Sequence, residues 1–271
     1  MIDKIRDWKI PFAQTILPLI FCPLVLLINI NGLLAKADVS VKDLDVVWRI
    51  IIGLGKPVLV IAIMFLYCNT IRKVNKGTVL KQNVPNKIVW HTMAGYWFCR
   101  YILSFQKVSL TRVPIPMQFK LVWSDWFTDY EIMDGVAEKE KGTDNINVKK
   151  FNDDQVTSTV NLVLADTYPL NWKEKLPADL LNLTTIVIER GGEKGVRYYS
   201  PDFVAEISRI VHELPINVVG VNLFATINAA NSYHIANEVF KTGGRDNLKH
   251  LRVYEQSKDN WVFEGKYKKI F

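Results

Sequence analysis

The chain has 271 residues, a formal net charge of +7 and a hydrophobic share of 49%. This length allows a small membrane module and about one ordinary soluble domain, and it excludes a chain of several domains. Cys22, Cys68 and Cys99 are too few and too scattered for a disulfide framework or a zinc site. Much of the positive charge follows an apolar segment, so it favours contact with lipid headgroups over nucleic acid.

Two apolar segments dominate the N-terminal region. The first runs from Ile10 to Ala35 without a charged residue, and the second runs from Val46 to Ile71 with only Arg49 and Lys56. A spanning helix needs about 20 predominantly apolar residues. The sequence therefore predicts a two-helix transmembrane hairpin over residues 1–71 and a cytosolic domain over residues 72–271.

Basic residues give the predicted orientation of the hairpin. Lys and Arg are frequent after the second segment, whereas no acidic residue lies between Cys68 and Asp125. Such an excess marks the cytoplasmic side of a membrane, so we expect both termini in the cytoplasm. Cleavage of a signal peptide near Ala37 is the alternative, although its apolar region is usually only about 7–15 residues long.

Lys56 and Pro57 are the most costly pair within the predicted spans. A lysine near the bilayer centre costs about 2.5–3.5 kcal/mol unless it snorkels or finds a partner. We keep both explanations open: snorkelling of Lys56, or a membrane function of Lys56 and Pro57 in a pore or subunit contact. Pro18 and Pro23 in the first span favour packing in a homo-oligomer, since kinked helices need neighbours.

Residues 72–155 give an irregular pattern. The aromatic-rich run from Ile88 to Phe105 predicts a helix at the membrane interface or in the core beneath it. The stretch from Val108 to Trp126 predicts one or two strands. Met133 to Gln155 is polar and glycine-dotted, which predicts a surface loop.

Residues 156–271 alternate between apolar strands and amphipathic helices. The predicted elements are strands at Val160–Ala165, Thr185–Ile188, Val218–Phe224, Leu251–Tyr254 and Trp261–Ile270, and helices at Pro201–Glu213 and Asn228–Phe240. Continuous apolar strands separated by helices predict an α/β fold with a mostly parallel, Rossmann-like sheet covered on both faces.

Polar residues follow the carboxyl ends of these strands, where open α/β sheets bind ligands. The candidate ligand-binding residues at strand ends and in flanking loops are Thr167, Tyr168, Arg190, Lys194, Arg197, Thr226, Asn228, Asn231 and Ser232. Small polar side chains at a helix N-terminus favour an anion or phosphate. The alternative is that Asn228 and Asn231 only cap the helix.

Patterns typical of enzymes are missing from the sequence. It has no Walker loop, no dinucleotide-binding glycine motif and no G-x-S-x-G turn. His212, His234 and His250 are scattered, and we expect each to be structural. We therefore expect a binding domain rather than an enzyme, with no cofactor and no metal.

Four segments in order resemble the C-terminal half of SAVED domains, the CARF-like sensors of cyclic oligonucleotides in bacterial anti-phage signalling. They are NLVLADTYPL (Asn161–Leu170), TIVIER (Thr185–Arg190), VNLFATINAANSYHIANEVF (Val221–Phe240) and LRVYEQ (Leu251–Gln256). Two features depart from the family. Its usual proline after the strand is replaced around Asn228, and its helix glycine is absent near Ala236.

The resemblance implies a two-transmembrane SAVED effector of a CBASS-type or related defence system. Such an effector binds a cyclic di- or oligonucleotide, here with Tyr254 among the contacts, and a nucleotide cyclase is its system partner. A change of ligand state drives oligomerisation, and the spans then disrupt the bacterial inner membrane in abortive infection. Both activation and restraint by the ligand fit this scheme.

Two other functions stay open at this point. One is a non-catalytic membrane scaffold, for example a secretion or conjugation subunit whose α/β domain docks partners. The other is a membrane-tethered enzyme acting on nucleotides or NAD.

Overall fold

The structure is a computed structural model that describes residues 56–81, 92–132, 144–154, 157–191, 197–257 and 260–271, with positions 11, 13–18, 20 and 45–46. The first predicted span and the loop after it lie mostly outside these residues. Within the described part of the chain, no helix combines the length and the apolar character that crossing a membrane requires. The hairpin and the domain boundary at residue 71 stay predictions.

A first compact unit comprises residues 1–89 and 94–108. Its elements are helix α1 (Lys56–Lys76), strand β1 (Val79–Leu80), nearly all of helix α2 (Met93–Tyr101) and most of strand β2 (Lys107–Ser109). Strands β1 and β2 pair in parallel. Lys56 and Pro57 open α1, but the surroundings of their side chains lie outside the description.

A buried amide pair fixes the end of α1 within this unit. The Asn75 side chain donates to Gln14 Oε1 at 3.0 Å and to the Leu103 carbonyl oxygen at 2.9 Å. Gln14 Nε2 donates back to Asn75 Oδ1 at 3.2 Å. Helix α2 lies in the aromatic-rich run and buries Tyr96, whereas Trp97 is 46% exposed. Contact of α2 with lipid stays a prediction.

The second unit comprises residues 90–93 and 109–271, and it opens with a helix that the sequence analysis missed. Helix α3 (Ile115–Ser124) replaces the strands expected over Val108–Trp126, and the short strand β3 (Asp129–Glu131) follows it. Pro114 is the N-cap of α3 and Pro116 lies in its first turn. There a missing N–H is harmless, so these prolines begin a helix and do not break one.

A six-stranded sheet forms the body of this unit. Its strands are β4 (Ile146–Phe151), β5 (Thr159–Ala165), β6 (Thr185–Arg190), β7 (Gly220–Thr226), β8 (His250–Gln256) and β9 (Phe263–Lys269), in the order β4-β6-β5-β7-β8-β9. Strands β6, β5, β7 and β8 are parallel, and β4 and β9 are antiparallel edge strands. The predicted α/β fold with a mostly parallel sheet is confirmed.

Strand β4 corrects the part of the predicted Met133–Gln155 loop that covers Ile146–Phe151, whereas residues 133–143 lie outside the description. It pairs antiparallel with β6, and Asn147 and Lys149 point to solvent. The strand buries only one partly apolar face, so its polar and charged residues gave no continuous apolar signal. Such residues are typical of an exposed sheet edge.

One face of the sheet carries the segment between β5 and β6. Helix α4 (Trp172–Lys175) and a 3-10 turn (Ala178–Leu180) lie in this segment. Phe224 is fully buried at the centre of the apolar cluster on this face. It stacks on Tyr254 at 4.4 Å and contacts Phe263 edge-on at 5.2 Å.

The longer helices follow β6 and β7. Helix α5 (Pro201–His212) follows the N-cap Ser200, whose Oγ accepts from the Phe203 N–H at 3.1 Å. The predicted apolar stripe of α5 is buried. Helix α6 (Ala229–His234) continues into a π-helix (Ile235–Thr242). A Cβ at Gly243 would collide with the Glu238 carbonyl oxygen, so the end of the π-helix requires glycine.

We predict that Phe224→Ala lowers the free energy of unfolding by about 3–5 kcal/mol, because it leaves a cavity between Tyr254 and Phe263. Guanidinium unfolding of the purified chain in detergent measures this loss. Ile216→Ala is the matched control, since Ile216 is 81% exposed, and it should change stability by less than about 0.5 kcal/mol. Equal losses in both variants would contradict the assignment of Phe224 to the core.

Candidate functional site

The candidate site lies where the strand order of the sheet reverses. Strand β5 pairs with β6 on one side and with β7 on the other, so the connections after β5 and β7 leave in different directions. Open α/β sheets bind ligands in the crevice at such a switch point. Thr167 ties the two strand ends together, since its N–H and Oγ donate to the Thr226 carbonyl oxygen at 2.9 and 2.8 Å.

Asp166 is the centre of a buried polar network at this point. It follows β5 directly, and its side chain is 0% exposed. Arg190 Nε, at the end of β6, donates to Asp166 Oδ1. Asn231 Nδ2 and Asn228 Nδ2 donate to Asp166 Oδ2 at 2.9 and 3.1 Å, and the Asn228 N–H approaches the same oxygen at 3.3 Å.

The orientation of both amides follows from their other contacts. Asn228 Oδ1 accepts the Asn231 N–H at 2.9 Å, and Asn231 Oδ1 accepts the Ser200 N–H at 3.0 Å. Both Nδ2 groups must therefore face Asp166. Burial raises the pKa of Asp166, while the Arg190 guanidinium and the amide donors oppose that shift. Every hydrogen-bond partner of this side chain among the described residues is a donor, which favours the ionised carboxylate.

The network extends to the start of α5. The Arg190 guanidinium lies 3.8 Å from the centre of the Tyr198 ring, and the Tyr198 hydroxyl donates to Asp144 Oδ1 at 2.6 Å. Ser200 Oγ donates to the other oxygen of Asp144. These contacts connect the start of α5 to the residues that precede β4.

The predicted site residues divide by accessibility. Arg190, Asn228 and Asn231 are committed to internal hydrogen bonds. Asn228 caps α6, as the capping alternative requires, whereas the Asn231 side chain bonds Asp166 and the Ser200 N–H instead of a helix end. Thr226 is buried and donates to the Tyr168 carbonyl oxygen at 3.2 Å. These four residues are therefore less accessible to a ligand than two other described candidates, Tyr168 and Arg197.

Tyr168 and Arg197 are the more accessible of the described candidates. Tyr168 is half-buried, its hydroxyl donates to Gln256 Oε1 at 2.5 Å, and burial raises the pKa of its phenol. Arg197 is exposed. Lys194 lies outside the described residues.

Ser232 and Tyr254 lie deeper than the sequence suggested. Ser232 is 0% exposed, and its Oγ has no hydrogen-bond partner among the described residues. Tyr254 is 6% exposed and belongs to the aromatic cluster around Phe224. No cluster of three metal-ligating side chains occurs within the described ranges.

Three residues of the network were not among the predicted site residues. Asp166 follows an apolar strand, so the strand-end rule points to it. Asp144 lies in a stretch that predicted a loop, and Tyr198 gives no signal in the sequence. Their role depends on contacts between distant segments.

Comparison with solved structures finds receptors that contain SAVED/CARF domains. A Cap4 receptor of Acinetobacter baumannii with the cyclic trinucleotide 3'3'3'-cAAA is 11% identical, with a TM-score of 0.45 over 65% of this chain and 41% of that chain. A Moraxella osloensis Cap4 receptor is 11% identical, with a TM-score of 0.40 over 66% of this chain and 40% of that chain. The chain thus spans about two fifths of their length. No curated protein matches the chain.

Comparison with protein families gives one match over nearly the whole sequence. The matching model is SUa-2TM, the SMODS- and Ubiquitin system-associated 2TM effector domain, over residues 6–271. This match confirms the resemblance to two-transmembrane defence effectors. The chain belongs to the family of SMODS- and Ubiquitin system-associated 2TM effector domains.

Proposed function

We propose that the chain is a membrane-anchored effector whose α/β domain senses a cyclic di- or oligonucleotide. The observation that carries this proposal is the switch point at the ends of β5 and β7, where polar groups converge beside the exposed cation Arg197. A nucleotide needs hydrogen-bond donors and cations for its phosphates. We call Tyr168 and Arg197 the rim of the site, because they are more accessible than the buried Asp166 network and can supply such contacts.

The ligand lies, in this proposal, on top of the Asp166 network. Tyr168 offers a half-buried aromatic ring, which contacts Trp261 edge-on at 5.6 Å. Arg197 meets the phosphates, and Lys194, which lies outside the described residues, stays a candidate from the sequence. Arg190 and Asn228 do not contact the ligand, because they bond Asp166 inside the protein. They affect binding only by holding the surface beneath the ligand in place.

The membrane part of the proposal follows the family. Two spans anchor the chain in the bacterial inner membrane with both termini in the cytoplasm. A change of ligand state alters self-association of the α/β domains, and the assembled spans disrupt the bilayer. Ligand must bind one assembly state better than the other for this coupling. A nucleotide cyclase supplies the ligand, and the effector itself is not an enzyme.

A membrane scaffold is the second candidate function. The observation that favours it is the burial of Arg190, Asn228 and Asn231, whose side chains bond internal partners. In a scaffold the network only stabilises the fold, and the rim binds no nucleotide.

We predict that the full-length chain in detergent binds one member of a panel of cyclic di- and trinucleotides, with a dissociation constant of about 1 μM or tighter. Isothermal titration calorimetry measures the affinity. Arg197→Gln should weaken it by about tenfold or more, since a charge-assisted hydrogen bond to phosphate is lost.

Arg209→Gln is the matched control for this charge change. Arg209 lies in the last turn of α5, about 12 Å or more along the helix axis from the end that faces the site. It is exposed and pairs with Glu206 and Glu213, so we expect affinity within about twofold of wild type. No binding across the panel by a folded protein would support the scaffold.

We predict that Arg190→Ala lowers the free energy of unfolding by about 3–5 kcal/mol, because Asp166 is left buried without its cation. The double variant Asp166→Leu with Arg190→Met removes both charges and should lose less. Both asparagine side chains keep the Tyr198 carbonyl oxygen as acceptor, at 2.8 and 3.3 Å. Chemical denaturation compares the variants, and a loss below about 1 kcal/mol for Arg190→Ala would contradict the structural role.

A further inference from the structure

A row of polar side chains crosses one face of the sheet near the amino ends of its parallel strands. Asn161 on β5 is in register with Thr185 on β6 and with Asn222 on β7. Asn222 is in register with Arg252 on β8, and Arg252 with Lys269 on β9. Residues in register on neighbouring strands point to the same face, so these side chains form one continuous row.

The two asparagines of this row leave one acceptor unused. Asn161 Nδ2 donates to the Leu180 carbonyl oxygen at 2.7 Å and to Thr185 Oγ1 at 3.1 Å. Its Oδ1 therefore accepts from Asn222 Nδ2 at 3.2 Å. Asn222 is 1% exposed, and its Oδ1 has no hydrogen-bond partner in the described part of the chain. A buried acceptor without a donor is costly, and the described residues supply no donor for this oxygen.

A cavity of about 430 Å³ lies beside Asn222. Its walls include Arg252, the residues 157–159 with their hydroxyl groups, and the apolar side chains of Leu180 and Leu183. The cavity is open to solvent, and its volume is comparable with that of small-molecule sites, about 300–1,000 Å³. Thr159 begins β5, so the cavity is at the opposite end of that strand from Asp166.

The cavity also has a cation, Arg252, that forms no ion pair among the described residues. The Arg252 guanidinium lies 5.6 Å from the centre of the Tyr267 ring, which holds it along the sheet. Lys269 lies in register beside Arg252 and is exposed. An anion is therefore the complementary ligand.

We infer that this cavity is a second binding site, for a small organic anion that carries an N–H or O–H donor. The anionic group contacts Arg252 and Lys269, and the donor meets Asn222 Oδ1. Leu180 and Leu183 cover the apolar part of the molecule. The site is separate from the proposed nucleotide sensor, so either can fail without the other.

The test titrates the full-length chain in detergent with adenosine 5′-monophosphate and with 2-hydroxyisocaproate, a phosphate and a carboxylate that both carry donors. We expect at least one probe to bind and to raise the unfolding temperature. Arg252→Gln should weaken that binding by about tenfold or more. The stronger probe distinguishes a phosphate ligand from a carboxylate ligand.

Lys268→Gln is the matched control. Lys268 is in register with the buried Val253, and alternation places it on the other face of β9 from Lys269. It should leave the affinity within about twofold of wild type, and so should Arg197→Gln at the other edge of the sheet. Failure of both probes to bind, or equal affinity in Arg252→Gln and wild type, would overturn the proposal.

Discussion

The ion pair between Asp166 and Arg190 is the interaction on which the carboxyl edge of the sheet depends. A carboxylate removed from water is stable only when nearby donors replace its hydration. Arg190 and the side chains of Asn228 and Asn231 supply those donors. The pair thereby joins the ends of β5 and β6 to the first turn of α6. Removing any partner leaves a buried polar group unmatched, so these residues behave as one unit.

This ion pair separates two groups of residues at the site. Asp166 and Arg190 are buried beneath it, whereas Tyr168 and Arg197 are more accessible to solvent. Tyr198 connects the two groups, since its ring lies under the Arg190 guanidinium and its hydroxyl reaches Asp144. Under the proposed function, a ligand at Arg197 would therefore be connected to the start of α5 through Tyr198.

The sequence was sufficient for elements whose signal is local. The apolar runs of β5, β6 and β7 and the capped helix α5 appear close to their predicted bounds. The sequence did not predict the structure correctly where one pattern is compatible with two kinds of element. Pro114 and Pro116 suit both a strand boundary and a first helical turn, and the polar residues of β4 suit both a loop and an edge strand.

The candidate site shows the same limit. The strand-end rule pointed to the edge of the sheet where the Asp166 network lies, but it could not separate buried from accessible residues there. Arg190 reads as a free cation in the sequence, because its partner Asp166 lies 24 residues away. The row through Asn222 and Arg252 was invisible for a related reason. It exists only once the register between β7 and β8 is fixed.

Hydrogen–deuterium exchange of the full-length chain, with and without a bound cyclic nucleotide, tests the central claim most directly. The account predicts that ligand slows exchange in peptides covering residues 166–168 and 197–200, at the rim above the Asp166 network. Demonstrated binding that leaves exchange in both peptides unchanged would contradict this claim and place the binding site elsewhere on the molecule.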